Sequence, residues 1–338
     1  MRVQMYISYW TTFLLSVFVF FGSCGQEHKK DKTSMKNRPI EQLYTNVAPL
    51  NYPSMPQYFI EGHQSGCYYE IYVNGILSFK HYENVGLSNH AVPINDVILK
   101  SGTQRVTVKL FPLGRIGNKE YKTLEDNTRF RLKIFKRDKA TPWEGLDYDI
   151  VKEYFAPTTT GKDTGSFKNV GVPMFEETFT FEAEVPYKLT GWSESINLQD
   201  MDEDILEQEI LNFYQEYDKI IQNQNEKGWV EMIRNKETEY FKSVYYNDSQ
   251  NEEVKLRIAY HANPFDTELV ESIPLDKYEI VFGGDGKVVT LKSTERLGMS
   301  AYSFAQNKDR NGKRAKARTS YYLFLHKPKG SNKLEIIR

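Results

Sequence analysis

His63 and Cys67 are the nearest approach in this chain of 338 residues to a nucleophile beside a base. Such a pair carries acyl transfer only where the thiol is ionised and reachable. Cys67 instead shares the apolar side of a strand-like alternation with Tyr69, Ile71 and Val73, where a free cysteine behaves as a small hydrophobe. His81, His90, His261 and His326 are scattered, and neither H-E-x-x-H nor paired C-x-x-C spacing occurs. No metal and no cofactor are therefore expected. Two carboxylates facing each other could hydrolyse a glycoside, but with 45 acids in the chain such pairs arise by chance. Asp309-Arg310-Asn311-Gly312 echoes a calcium loop; Lys308, Arg310, Lys313 and Arg314 would repel the ion, and the closing Glu is missing. Gly283-Gly284-Asp285-Gly286-Lys287 lacks the spacing and the following helix of a phosphate loop, so its composition predicts a hairpin tip.

Two stretches remain as candidates for binding rather than catalysis. Lys308 to Arg318 holds six Lys or Arg against Asp309, and within it Lys313, Arg314, Lys316 and Arg318 could meet an acidic protein surface or lipid phosphates. This run is expected on a loop between strands at Tyr302 and Tyr321. The second stretch interrupts the alternation between Asp138 and Pro173, where Trp143, Tyr148, Tyr154 and Phe155 would form a patch suited to a sugar face or a protein hot spot if exposed. A net charge of −1 gives no electrostatic reason to expect nucleic acid.

The elements that must position these residues change character along the chain. Residues 57–190 alternate with period two: Val106, Val108 and Leu110 point one way, as do Phe130, Leu132 and Ile134, and then Phe179, Phe181, Ala183 and Val185. With Asn74-Gly75 as a turn signal and no strong helical run, this predicts an antiparallel β-sandwich. The segment from Tyr72 to Gly75, taken with Asp96 to Val108, resembles the jelly-roll modules attached to many glycosidases. From Asp200 the period becomes helical, with Leu206, Ile210, Phe213, Tyr217 and Ile220 on one stripe and a second helix at Trp229, Ile233, Tyr240, Phe241 and Val244. Strands are expected at Leu256–Tyr260, Tyr278–Phe282, Val288–Leu291, Tyr302–Ala305, Tyr321–Leu325 and Leu334–Ile337. The fold class is thus mostly β, a sandwich followed by an α+β domain at 191–338, with the joint near Gly191.

The chain opens with Arg2, an uncharged run from Val3 to Ser23, and small residues before a cysteine. That is the pattern of a secretory signal. Gly22-Ser23-Cys24 resembles the lipobox of bacterial lipoproteins, with Phe21 where the family prefers Leu. The resemblance implies removal of residues 1–23 and acylation of Cys24, and hence a membrane-anchored envelope protein facing the periplasm or the cell surface. The competing reading is an uncleaved spanning helix, which Tyr6, Tyr9, Thr11 and Thr12 make a poor one. Residues 24–56, with closely spaced Lys, Glu and Arg, are expected to be a flexible tether. Once Cys24 is acylated, Cys67 has no partner for a disulfide. The expectation is a non-catalytic envelope lipoprotein that binds another protein, in a surface assembly or as neutraliser of an incoming toxin. Glycan binding through the sandwich and its aromatic loop is the second expectation, and a hydrolase whose acids meet only in the fold is the third.

Overall fold

The alternation of the first half builds two four-stranded antiparallel sheets. The computed structural model describes residues 38–45, 47, 50–83, 90–141, 147–246, 252–266, 269–310 and 313–338. In chain order the strands are β1 (Pro56–Ser65), β2 (Tyr68–Val73), β3 (Ile76–His81), β4 (Ala91–Pro93), β5 (Gly102–Phe111), β6 (Gly114–Ile116), β7 (Lys119–Tyr121), β8 (Arg129–Asp138), β9 (Asp149–Phe155) and β10 (Phe175–Ala183). One sheet has the order β4-β1-β8-β9, the other β10-β5-β2-β3, and β6 and β7 form a small separate hairpin. Cys67, Tyr69, Ile71, Val73, Val106, Val108, Leu110, Leu132 and Ile134 are fully buried in the core they share, on the faces that period two assigns.

The second half stacks helices on sheets. Helix α1 (Pro39–Thr45) joins α2 (Glu203–Gln222), α3 (Glu226–Ser243) and α4 (Glu252–Asp266). They enclose a core of Ile40, Tyr44, Ile210, Tyr217, Ile233 and Phe241 against Val289, Leu291, Phe304 and Leu325. Asp202 caps α2 by accepting from the Ile205 amide, and Asn225 caps α3 by accepting from Gly228, so that glycine stands in a first turn. Strands β11 (Leu269–Ser272), β12 (Tyr278–Gly283), β13 (Val288–Ser293), β14 (Ser303–Arg310), β15 (Lys313–Ser320), β16 (Leu325–His326) and β17 (Glu335–Ile336) make two antiparallel sheets, β11-β14-β15 and β12-β13-β16-β17. The fold is therefore mostly β, with α2, α3 and α4 in the second half of the chain and α1 packed against them from residues 39–45.

Both faces of β13 are covered. Val288 packs into the sandwich core, whereas Val289 and Leu291 pack into the helical one. Trp192, Tyr245 and Ile337 also belong to the sandwich core. The two cores thus lie on opposite faces of β13, and residues Arg38–Arg338 form one compact unit. Hairpin tips meet across the joint: a Cβ on Gly75 would lie 2.6 Å from the Gly284 nitrogen, and one on Gly283 would lie 2.4 Å from the Gly75 oxygen. Gly75 and Gly284 also have positive φ, 78° and 55°. Only glycine supplies both that backbone and that clearance. The glycine-rich tip seen in the sequence thus serves a backbone contact, fastened on its flank by an ion pair between Arg105 and Asp285.

Three local expectations are corrected. Leu256–Tyr260 is the middle of α4 rather than a strand, since Val254, His261 and Ala262 are buried at helical spacing; a short apolar run does not distinguish the two. The tether does not reach residue 56, because Ile40, Leu43 and Tyr44 of α1 are buried and Arg38 donates to Glu226 of α3 at 2.7 Å. The supposed loop between Asp138 and Pro173 contains β9, which pairs with β8.

Candidate functional site

The basic run lies on a two-stranded ribbon instead of a loop. Strands β14 and β15 pair throughout, Ser303 with Ser320 at the base and Arg310 with Lys313 at the far end. The base is held in the helical core by Phe304, and behind it the Thr319 hydroxyl donates to Gln306 Oε1 at 2.7 Å. Strand β15 is a sheet edge. Its Lys316 is exposed and paired with Glu271 at 2.8 Å, and its exposed Arg318 donates from Nε to Ser303 Oγ at 2.8 Å. Lys313 and Arg314 occupy the next positions outward, Arg314 opposite Asp309 in the register. Asn311 and Gly312 lie outside the described residues.

Of the aromatic stretch, Tyr148 and Tyr154 are among the described residues. Trp143 lies outside the described residues, as does Cys24. Tyr148 is half-buried with its ring 4.7 Å from that of Phe135. Tyr154 faces inward from β9, stacks on Phe179 at 4.7 Å and donates to Glu177 at 2.8 Å. It is 8 % exposed, too little to offer a face to a ligand.

His63 and Cys67 are not brought together. His63 Nε2 is 2.6 Å from Glu61, whose other oxygen takes Lys133 at 2.8 Å. Cys67 is directed at the Arg129 carbonyl, and burial pushes its thiol up to about 12. The thiolate that nucleophilic chemistry requires is suppressed there. A Ser–His contact does occur elsewhere, between Ser195 Oγ and His326 Nδ1 at 2.7 Å. Both residues are buried, and no described carboxylate bonds to His326; Glu335 bonds Asn235 and Glu239 bonds Gly191 and Arg338. Without an orienting acid and an open face, that pair does not make a hydrolytic site.

Two buried carboxylates, invisible in the sequence, gather the strongest electrostatics. Glu70 of β2 is 1 % exposed. It accepts from Tyr72 and Tyr82 at 2.5 Å each and from Lys292 of β13 at 2.6 Å. Burial alone would raise its pKa; these donors outweigh it and leave the carboxyl below its usual range. Lys80 stands nearby over the Tyr322 ring and donates to the Gly298 carbonyl. Burial, with Lys292 and Arg296 opposing Glu70, lowers its amine to about 8. An amine so poised could act as a nucleophile. The adjoining cavity, lined by Tyr72, Leu77, Phe282, Thr290 and Phe324 among others, measures only ≈ 20 Å³. That holds roughly one water and no metabolite, so the cluster fastens sandwich to second sheet.

Glu237 of α3 is the other, with no exposed surface. Tyr44 donates to it at 2.8 Å, Lys236 at 2.6 Å and Arg257 at 2.7 Å, and His261 Nε2 lies at 3.1 Å. Burial would raise this carboxyl, but Arg257, Lys236 and His261 hold it well below its usual range. Burial in turn lowers His261 to about 4. The imidazole is then neutral and donates from Nε2, leaving Nδ1 without a partner among the described residues.

Among the described residues no group of His, Cys, Asp or Glu could hold a metal ion, and no helix is long and apolar enough to cross a membrane. Comparison with known proteins finds no matching family model, no similar curated protein and no similar solved structure.

Proposed function

We propose that this chain is a non-catalytic lipoprotein of a bacterial cell envelope that binds another protein, and that the ribbon β14–β15 is the docking element. The observation that carries the reading is the edge position of β15 with Lys313, Arg314, Lys316 and Arg318 along it. An unpaired edge offers backbone N–H and C=O groups to an added strand. Its cations select an acidic, extended segment over a neutral one and raise the encounter rate. Rigid support favours the same reading, because a ribbon anchored by Phe304 and by the Gln306–Thr319 bond loses little freedom on binding. The burial of Tyr154 weighs against a glycan platform.

Changing Lys313, Arg314 and Lys316 together to Glu should shift the urea midpoint little, since the exposed pair of Lys316 with Glu271 is worth about 0–1 kcal/mol. Recovery of the crosslinked partner from intact cells should fall about tenfold, the loss expected when about 1.4 kcal/mol of charge attraction is removed. Unchanged recovery would exclude the ribbon as the docking element. The anchor is tested separately: Cys24→Ala should move the protein from the membrane fraction to the soluble one, since acyl chains contribute about 0.8 kcal/mol per buried methylene. Retention in the membrane fraction would favour the spanning-helix reading.

A further inference from the structure

Two guanidiniums meet at the base of the ribbon without an acid between them. Arg296, on the turn after β13, donates from Nη1 to Ser320 Oγ at 3.2 Å and from Nη2 to the Ser300 carbonyl at 3.0 Å and Ser303 Oγ at 3.5 Å. Arg318 donates from Nε to the same Ser303 Oγ. Neither has a carboxylate within ion-pair distance among the described residues; the neighbouring ribbon pair is Lys316 with Glu271. Lys80 and Lys292 add positive charge from the adjoining cluster, where Glu70 is committed to Lys292 and two tyrosines. The proximity is felt: burial first, and then Arg318, lower the pKa of Arg296.

Ser300, whose carbonyl accepts from Arg296, adds a second observation beside the pair. It is fully buried, and its hydroxyl has no hydrogen-bond partner among the described residues. Unsatisfied buried hydroxyls are uncommon in folded proteins and often mark a missing group. Arg318, by contrast, is exposed, so the pair can be reached from solvent.

We infer that Arg296 and Arg318, with the hydroxyls of Ser303 and Ser320, form a binding site for a phosphate-class oxyanion, either inorganic phosphate or the terminal group of a phosphomonoester. Charge selects the class. A carboxylate brings one negative charge and would leave one guanidinium opposed, whereas a phosphate near neutral pH carries about −1.5 to −2 and matches both. Geometry agrees, since guanidinium forks suit phosphate oxygens. This site does not depend on the ribbon docking to a protein: it uses the turn after β13 and the root of β15, and the triple charge reversal above leaves both arginines in place.

Isothermal titration of the full-length protein with inorganic phosphate, against chloride at matched ionic strength, tests the inference. Saturable binding is expected, weakened about tenfold or more in Arg318→Gln and in Arg296→Gln, as for loss of one charge-assisted contact. The Lys variants at the same positions should weaken it less. Phenyl phosphate separates the sources: tighter binding than inorganic phosphate identifies a monoester, weaker binding the free ion. Arg296 holds the Ser300 carbonyl, so its Gln variant could lose structure; Arg318→Gln on the exposed strand then decides alone, with an unchanged melting midpoint as its control. Absence of saturable heat in the wild-type protein, or equal affinity in folded Arg318→Gln, overturns the site.

Discussion

Replacing Glu237 with Gln is expected to lower the stability of this protein by about 3–5 kcal/mol, the range found when one member of a buried ionic cluster is removed. The substitution keeps the side-chain shape, deletes the charge and turns one of the two acceptor oxygens into a donor facing other donors. Arg257 and Lys236 would then remain as cations in a site where Glu237 has no exposed surface. Tyr44 and Arg257 reach the carboxylate from α1 and α4, so three helices lose a common anchor. Urea unfolding of the two proteins measures the difference, and a loss below about 1 kcal/mol would contradict the account.

The same cluster sets an acid limit. His261 has a folded pKa of about 4, below its ordinary 6.5. The unfolded chain therefore binds the extra proton as pH falls from 6.5 towards 4, and stability must decline across that window. Glu237, whose carboxyl is depressed, adds a loss in the same direction as pH falls through 4.5 and below. The charges facing His261 are Glu237 and Lys236 on α3 and Arg257 on α4. In His261→Gln the urea midpoint should vary less between pH 6.5 and 4.5 than in the wild-type protein.

Glu70→Gln should cost about 3 kcal/mol by the same mechanism, but at a different place. It strands Lys292 beside Lys80 at the joint between β2 and β13, while of Tyr72 and Tyr82, which bond different oxygens of Glu70, one keeps the amide oxygen and the other can accept from the amide NH2. The penalty is thus assigned mainly to the lysine. Adding Lys292→Met to Glu70→Gln should restore more than half of the loss, because a buried ion pair replaced by apolar groups is often neutral. No recovery in the double variant would place the cost in the tyrosine bonds instead.

The difference between what the sequence disclosed and what it concealed has a physical cause. Cys67, Tyr69, Ile71 and Val73 alternate with polar neighbours, so their burial was legible at once. The same alternation puts Glu70 on the opposite face. It says nothing about what covers that face, and here the second sheet does. Glu237 was hidden more deeply. Lys236-Glu237 reads as an exposed helical pair, and its partners Tyr44, Arg257 and His261 come from other helices, with Arg257 inside the segment mistaken for a strand. Polar side chains that converge from distant segments leave no local periodicity. The oxyanion site was missed for the same reason, since Arg296 stands apart from the basic run containing Arg318.

The meeting of the Gly75 and Gly284 turns restricts how this chain can be altered. Surface turns ordinarily tolerate added residues, epitope tags or circular permutation. These two have backbone atoms where any insert would have to begin. Lengthening either would force the sandwich away from the sheet that carries Lys292 and uncover Glu70. Fusions and reporter tags should therefore enter at Gly117 or Gly161, where an added Cβ has nothing within 4 Å.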